Sequence, residues 1–148
     1  MAEHAIASKR LIPLRELAEH REQEAARKLA DVQRQLGERV AQLQTLEQYQ
    51  EPASTGPVGM HQLRNREAFR ARLGDAIGHQ RRVIADLERM VQAAREEWFE
   101  THRGLMKMEK LIERSRQHER NVFERREQRR MDELALRSAM TAATAAHG

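Results

Sequence analysis

Only one segment of this 148-residue chain has the composition to stop a helix outright, and it lies one third of the way along. Pro52 through Gly59 (Pro-Ala-Ser-Thr-Gly-Pro-Val-Gly) holds two of the three prolines and two of the seven glycines. Proline lacks the amide proton a helix needs and clashes with the preceding turn, so no helix crosses such a segment. The flanking segments lack comparable punctuation and are rich in Ala, Leu, Glu, Gln and Arg, all good helix formers. The alternating Val/Ile/Thr runs that make strands are missing. The chain therefore reads as a single all-α domain over residues 1–148: helix 1 at about 8–50, a loop at 51–60, and helix 2 at about 61–140. With 34% charged residues, and aromatics limited to Tyr49, Phe69, Trp98, Phe99 and Phe123, the composition argues against a compact core. It favours a thin, elongated helical protein.

The apolar periods support that reading. The first arm places Leu14, Ala18, Ala25, Leu29, Val32, Leu36, Val40, Leu43 and Leu46 or Glu47 at mixed spacings of three and four. Two successive fours around Leu36 and Val40 lie closer to an eleven-residue than a seven-residue repeat, so this arm should supercoil weakly. Pro13 is tolerated in a first helical turn but not in mid-helix, which predicts a helix start or a kink there. The second arm keeps heptads, with Ile77, Ile84, Val91, Trp98, Leu105 and Ile112 at a and Leu73, Gln80, Leu87, Ala94, Thr101 and Met108 at d. Beyond these, Ser115, Glu119, Arg126 and Arg129 occupy positions that should be apolar.

Two such arms predict a long two-helix antiparallel coiled coil, a hairpin whose second helix extends beyond the first. Pairing Gln50 with His61 places Leu43 near Ala68, Leu29 near Arg82 and Pro13 near Trp98. On that register everything after about residue 103 projects past its partner. The projecting Glu113–Arg137 stretch has two readings. It is a solvated helix held by pairs among Glu109, Glu113, Arg114, Arg116 and Arg120, each worth about 0.2–0.5 kcal/mol. Or it waits for a partner that buries Val122, Phe123, Leu134 and Leu136.

Several function classes lose support. Without cysteine there is no disulfide, thiol catalysis or zinc–thiolate site. No apolar run approaches the roughly 20 residues that span a bilayer, and Met1 to Lys9 lack a secretory-signal layout, so a soluble cytoplasmic chain is expected. No glycine loop of the phosphate-cradling type occurs. Glu96 and Glu97 are adjacent, and adjacent helical side chains diverge. The seven histidines show no i,i+4 pair and no HExxH, and a two-helix hairpin offers no pocket in which to tune a catalytic group. No enzyme, cofactor or metal is expected. The charge, 27 basic against 23 acidic residues, permits nucleic acid, acidic lipid or an acidic protein. Arginines cluster at Arg64, Arg66, Arg70, Arg72, Arg81 and Arg82, and again at Arg125, Arg126, Arg129 and Arg130. At the second cluster Glu124, Glu127, Asp132 and Glu133 interleave, which favours a solvated face over a phosphate-tracking one. Tyr49 and Phe69, near the loop, are bulky for a two-helix seam and suit a protein-binding anchor.

The residues also resemble a known family. Leu43-Gln44-Thr45-Leu46-Glu47-Gln48-Tyr49-Gln50 is similar to the end of the first helix of FliJ, the flagellar type III export protein. Phe69, Leu73, Ala76, Ile77 and Gln80 resemble the start of its second helix, and Trp98 follows about where the family has it. Arg130-Met131-Asp132-Glu133-Leu134-Ala135, with Arg137, resembles its terminal segment. Two positions depart from the pattern: Ala53 replaces a second aromatic, and Gln80 a usual histidine.

The resemblance implies a fold like the central-stalk γ subunit of rotary ATPases and no catalytic activity. It implies association with the export ATPase FliI hexamer, whose assembly and activity it promotes, with the export-gate protein FlhA and with flagellar export chaperones. The location implied is cytoplasmic, peripheral to the inner face of the cell membrane at the flagellar base. The antiparallel hairpin itself leads to the expectation that the chain is monomeric when alone. Carried over by position, the gate-binding residues are Gln42, Leu46, Tyr49, Phe69, Leu73, Ala76 and Gln80. The ATPase-ring residues, in the overhang, are Val122, Phe123, Arg125, Arg126, Arg129, Arg130, Asp132 and Glu133. Injectisome stalk proteins share the architecture and are an alternative. A basic coiled-coil scaffold or nucleic-acid-binding module is another.

Overall fold

The computed structural model describes residues 2–50 and 59–147, with side chains from residue 7 onward. Two helices, α1 (Ala2–Gln48) and α2 (Met60–Ala146), make up nearly all of it, with no strand among the described residues. α1 closes with i→i+3 bonds from the amides of Tyr49 and Gln50 to the carbonyls of Leu46 and Glu47, which tighten its last turn. The Ala53 position lies outside the described residues.

The two helices pack antiparallel. Within the unit Glu22–Thr101, early residues of α1 meet late ones of α2. The Trp98 indole N–H donates to Glu22 Oε1 at 3.0 Å, and Lys28 Nζ lies 3.1 Å from Glu97 Oε2. Further along α1, Gln42 meets Gln80 at 2.7 Å and Glu47 meets Arg81 at 3.3 Å. Between these contacts Val32, Leu87 and Val91 form a buried cluster, flanked by Leu29, Leu36 and Val83. Along α2 every expected a and d position from Leu73 to Ile112 is buried or half-buried, so the heptad period governs which face is covered.

The register differs from the expected one. Gln42 stands beside Gln80, and Trp98 meets Glu22 rather than Pro13, about three helical turns from where a Gln50–His61 pairing puts them. The shift has a cause in α2. Extending its heptad frame backward from Ile77 and Leu73 places Arg70 and Arg66 on the seam. Burying guanidinium groups on a seam carries a desolvation penalty of several kcal/mol, which disfavours carrying the pairing past Leu73. Residues 59–72 are all exposed.

The second unit joins the chain before Glu22 with the chain after Thr101. It buries Ser8, Leu105 and Ile112, with Leu11, Ile12, Ala18 and Met108 half-buried. The helix does not begin at Pro13, which sits exposed inside α1. Proline at that position forgoes its amide bond to the carbonyl four residues back. Packing of Ser8, Leu11 and Ile12 on the same helix keeps that end helical nonetheless. Leu14, expected on the seam, is exposed, and Leu11 and Ile12 take the covered face. The overhang therefore does not start near residue 103: Glu119 and Val122 are still half-buried, and only 123–147 are exposed throughout. Arg126 and Arg129 fall on the seam in the same frame, and pairing has ended before them.

Candidate functional site

Where α1 ends, its last turns and α2 enclose an open groove lined by Gln42, Thr45, Leu46, Ala76, His79 and Gln80. Its position follows from the seam. A glutamine occupies the d position that an apolar side chain would fill, and the helices meet there through amides. Gln80 is buried yet satisfied on both sides: its Oε1 accepts from Arg39 Nη1 at 3.4 Å and its Nε2 donates to Gln42 Oε1 at 2.7 Å. A polar pair at one seam position weakens the pair of helices but fixes their alignment.

Of the residues singled out for gate binding, the structure brings Gln42, Leu46, Ala76 and Gln80 together in this groove. Leu73 is buried one helical turn before Ala76 and Ile77. Tyr49 and Phe69 do not line the groove and stand 65% and 53% exposed, each on its own helix. Thr45 and His79 do line it. They adjoin Leu46 and Gln80 in sequence, but no apolar period marks them. Thr45 also turns its hydroxyl back to the Ala41 carbonyl at 3.1 Å.

The second candidate set lies on α2 after the seam closes. Phe123, Arg125, Arg126, Arg129, Arg130, Asp132 and Glu133 are exposed, and Val122 is half-buried. Exposed Met131, Leu134, Leu136 and Met140 continue the apolar content of the stretch. Bonds within the helix hold it: Gln128 Nε2 donates to Asp132 Oδ1 at 3.3 Å, and the Thr141 and Thr144 hydroxyls donate to carbonyls four residues back. Just before it, Arg120 joins Glu113 and Gln117.

The adjacent carboxylates of Glu96 and Glu97 go to different partners. Glu96 accepts from Gln92 along its own helix while Glu97 reaches Lys28 on α1, so the two carboxylates part. Among the described residues no group of three or more His, Asp or Glu side chains could hold a metal ion, and no helix is long and apolar enough to cross a membrane.

Comparison with known proteins supplies the context for these two surfaces. No curated protein and no solved structure matches the chain. A family model described as the flagellar FliJ protein does match, over residues 8–144, nearly its whole length. The matched span includes the groove at Gln42 and Gln80 and most of the exposed end of α2. The chain belongs to the FliJ family, and is with it a component of the flagellar export apparatus.

Proposed function

We propose that this chain is a non-catalytic stalk of the flagellar export apparatus, working at the cytoplasmic side of the membrane. Its exposed α2 terminus engages the hexameric export ATPase, promoting ring assembly and hydrolysis. The end of α1 and the start of α2 engage the export gate, and export chaperones are a further class of partner. The observation that carries the reading is the stretch 123–146, a continuous helix with every side chain exposed, including Phe123, Leu134 and Leu136. An isolated helix gains nothing from its own apolar residues, whereas a stalk seated in a ring buries them. A bias on hydrolysis then requires that the stalk bind one state of the ring subunits more tightly than another.

Residues Phe123, Arg125, Arg126, Arg129, Arg130, Asp132 and Glu133 are assigned to the ring, with Val122 at the edge of the seam. Gln42, Leu46, Tyr49, Phe69, Leu73, Ala76 and Gln80 are assigned to the gate. Truncation after Val122 leaves the paired residues intact and removes the whole exposed terminus. The truncated chain is expected to leave ATPase turnover at its basal rate while the full chain raises it. Equal stimulation by the two would end the ring assignment.

A further inference from the structure

The covered seam of α2 gives out at Val122, and the apolar residues that follow step onto a different face. Phe123, Glu127, Arg130 and Leu134 fall at i, i+4, i+7 and i+11, within about 60° of one another around the helix. All four are exposed, Phe123 by 49% and Leu134 by 52%. Along this stripe the order is apolar, acid, base, apolar, at spacings of four, three and four. Read from the other end, the spacing is the same and each charge meets its opposite.

Such a stripe is complementary to itself about a two-fold axis. Laid antiparallel on a second copy, Phe123 faces Leu134 of that copy and Glu127 faces its Arg130, and each contact occurs twice. A parallel arrangement sets Glu127 on Glu127 and Arg130 on Arg130, like charge on like. Arg126 and Glu133 lie seven apart on one flank of the stripe, and the same two-fold brings Arg126 toward Glu133 of the second copy. The fold already uses this scheme within one chain. α1 and α2 pack antiparallel, with Lys28 at 3.1 Å from Glu97 and Arg81 at 3.3 Å from Glu47 beside their seam.

We propose that residues 123–134 pair antiparallel with the same residues of a second copy of this chain. The charges around the stripe favour that occupant. Residues 123–137 hold five arginines and four carboxylates, so two copies approach without strong net repulsion. A phosphate backbone would meet Glu124, Glu127 and Glu133 among the arginines, and a bilayer would have to bury Glu127 and Arg130 between Phe123 and Leu134. The rise from Phe123 to Leu134 is about 16 Å, which makes a contact at the small end of protein interfaces. The chain is therefore monomeric when dilute and pairs as its concentration rises. Phe123 and Arg130 are also assigned to the ATPase ring, so a paired chain withholds them from it. The pairing itself does not rest on that assignment.

Sedimentation velocity of the full chain over a range of concentrations tests the proposal. The unaltered chain is expected to shift from monomer to dimer and to stop there, because a two-fold contact closes on itself. Glu127→Arg sets arginine against arginine at both ion-pair positions, and Arg130→Glu sets glutamate against glutamate. Each is expected to weaken pairing roughly tenfold or more. An equimolar mixture of the two variants restores opposite charges at both positions and should pair again, as should a chain carrying both substitutions. Both positions are exposed, so far-UV circular dichroism should report unchanged helicity. An unaltered chain that stays monomeric, association beyond the dimer, single variants that pair as well as the unaltered chain, or a mixture that stays monomeric each overturns the proposal. So does loss of the dimer to phosphatidylglycerol vesicles or to a single-stranded oligonucleotide added as competitors. No ATPase is present in this assay, so the pairing and the ring assignment can fail separately.

Discussion

The first and last stretches of α2 both lie beyond the covered seam with arginines on its continuation, and they differ in what surrounds those arginines. In each, arginines fall on the seam, Arg66 and Arg70 in one and Arg126 and Arg129 in the other, and pairing stops. In 60–72 four arginines stand against Glu67 alone. In 123–137 five arginines stand among Glu124, Glu127, Asp132 and Glu133. The first stretch is thus a charged surface whose field extends outward, and the last is largely neutralised by its own carboxylates. The residues around an uncovered seam decide what kind of surface it becomes.

The largest expected effect separates the covered seam from both stretches. Leu87→Ala removes a side chain from the buried Val32–Leu87–Val91 cluster and should lower stability by about 2–4 kcal/mol. Leu134→Ala, on an exposed side chain of the last stretch, should change it by less than about 0.5 kcal/mol. Urea denaturation followed by circular dichroism measures both. A comparable loss at Leu134 would mean that the last stretch is covered by packing of its own, and the contrast with the seam would fail.

How far these features are legible in the sequence depends on which physical rule fixes each. The face of α2 follows from a rigid seven-residue period, and Ile77, Ile84, Leu87, Val91, Leu105 and Ile112 are buried as that period requires. The offset between the helices obeys no such rule. Two apolar stripes match at several offsets, and the assumption that both arms end together at the loop chose the wrong one. What selects the offset is polar and specific: Trp98 with Glu22, Gln80 with Gln42 and Arg39. Arg66 and Arg70 carried the missing signal, since extending the heptads backward puts both on the seam. Of the groove, Gln42, Leu46, Ala76 and Gln80 were reached through family resemblance, whereas Thr45 and His79 line it only because the register brings their turns together.

An intermediate effect tests how α1 carries its pairing as far as Val122. Pro13 lies exposed within α1 and withholds one helical hydrogen bond, while Ser8, Leu11 and Ile12 are covered beyond it. Pro13→Ala restores the bond and a good helix former, and should stabilise the chain by about 1–3 kcal/mol. Amide exchange should slow most at residues 9–12. The first stretch of α2 should not respond, because it lies beyond Gln48, where α1 ends, and no backbone bond there depends on Pro13. Faster exchange at 9–12 in the variant would show that proline fits that turn better than alanine, and that pairing there ends for another reason.

The smallest effect probes the charge contrast itself, one residue in each stretch. Arg66 and Arg70 are four apart on a helix, so they repel; Arg66→Glu turns the pair attractive, with the acid on the favoured N-terminal side. Asp132 accepts a bond from Gln128 and lies three residues after Arg129, so Asp132→Arg loses one attraction and converts the other to repulsion. Each pair is worth about 0.2–0.5 kcal/mol, which corresponds to roughly a twofold change in local opening. Amide exchange across 60–72 should therefore slow in Arg66→Glu, and across 128–136 should quicken in Asp132→Arg. High salt should shrink both changes, because all of these charges are exposed. If both substitutions shift exchange in the same direction, the two stretches do not differ in their internal charge balance, and the outward field assigned to the first has to come from elsewhere.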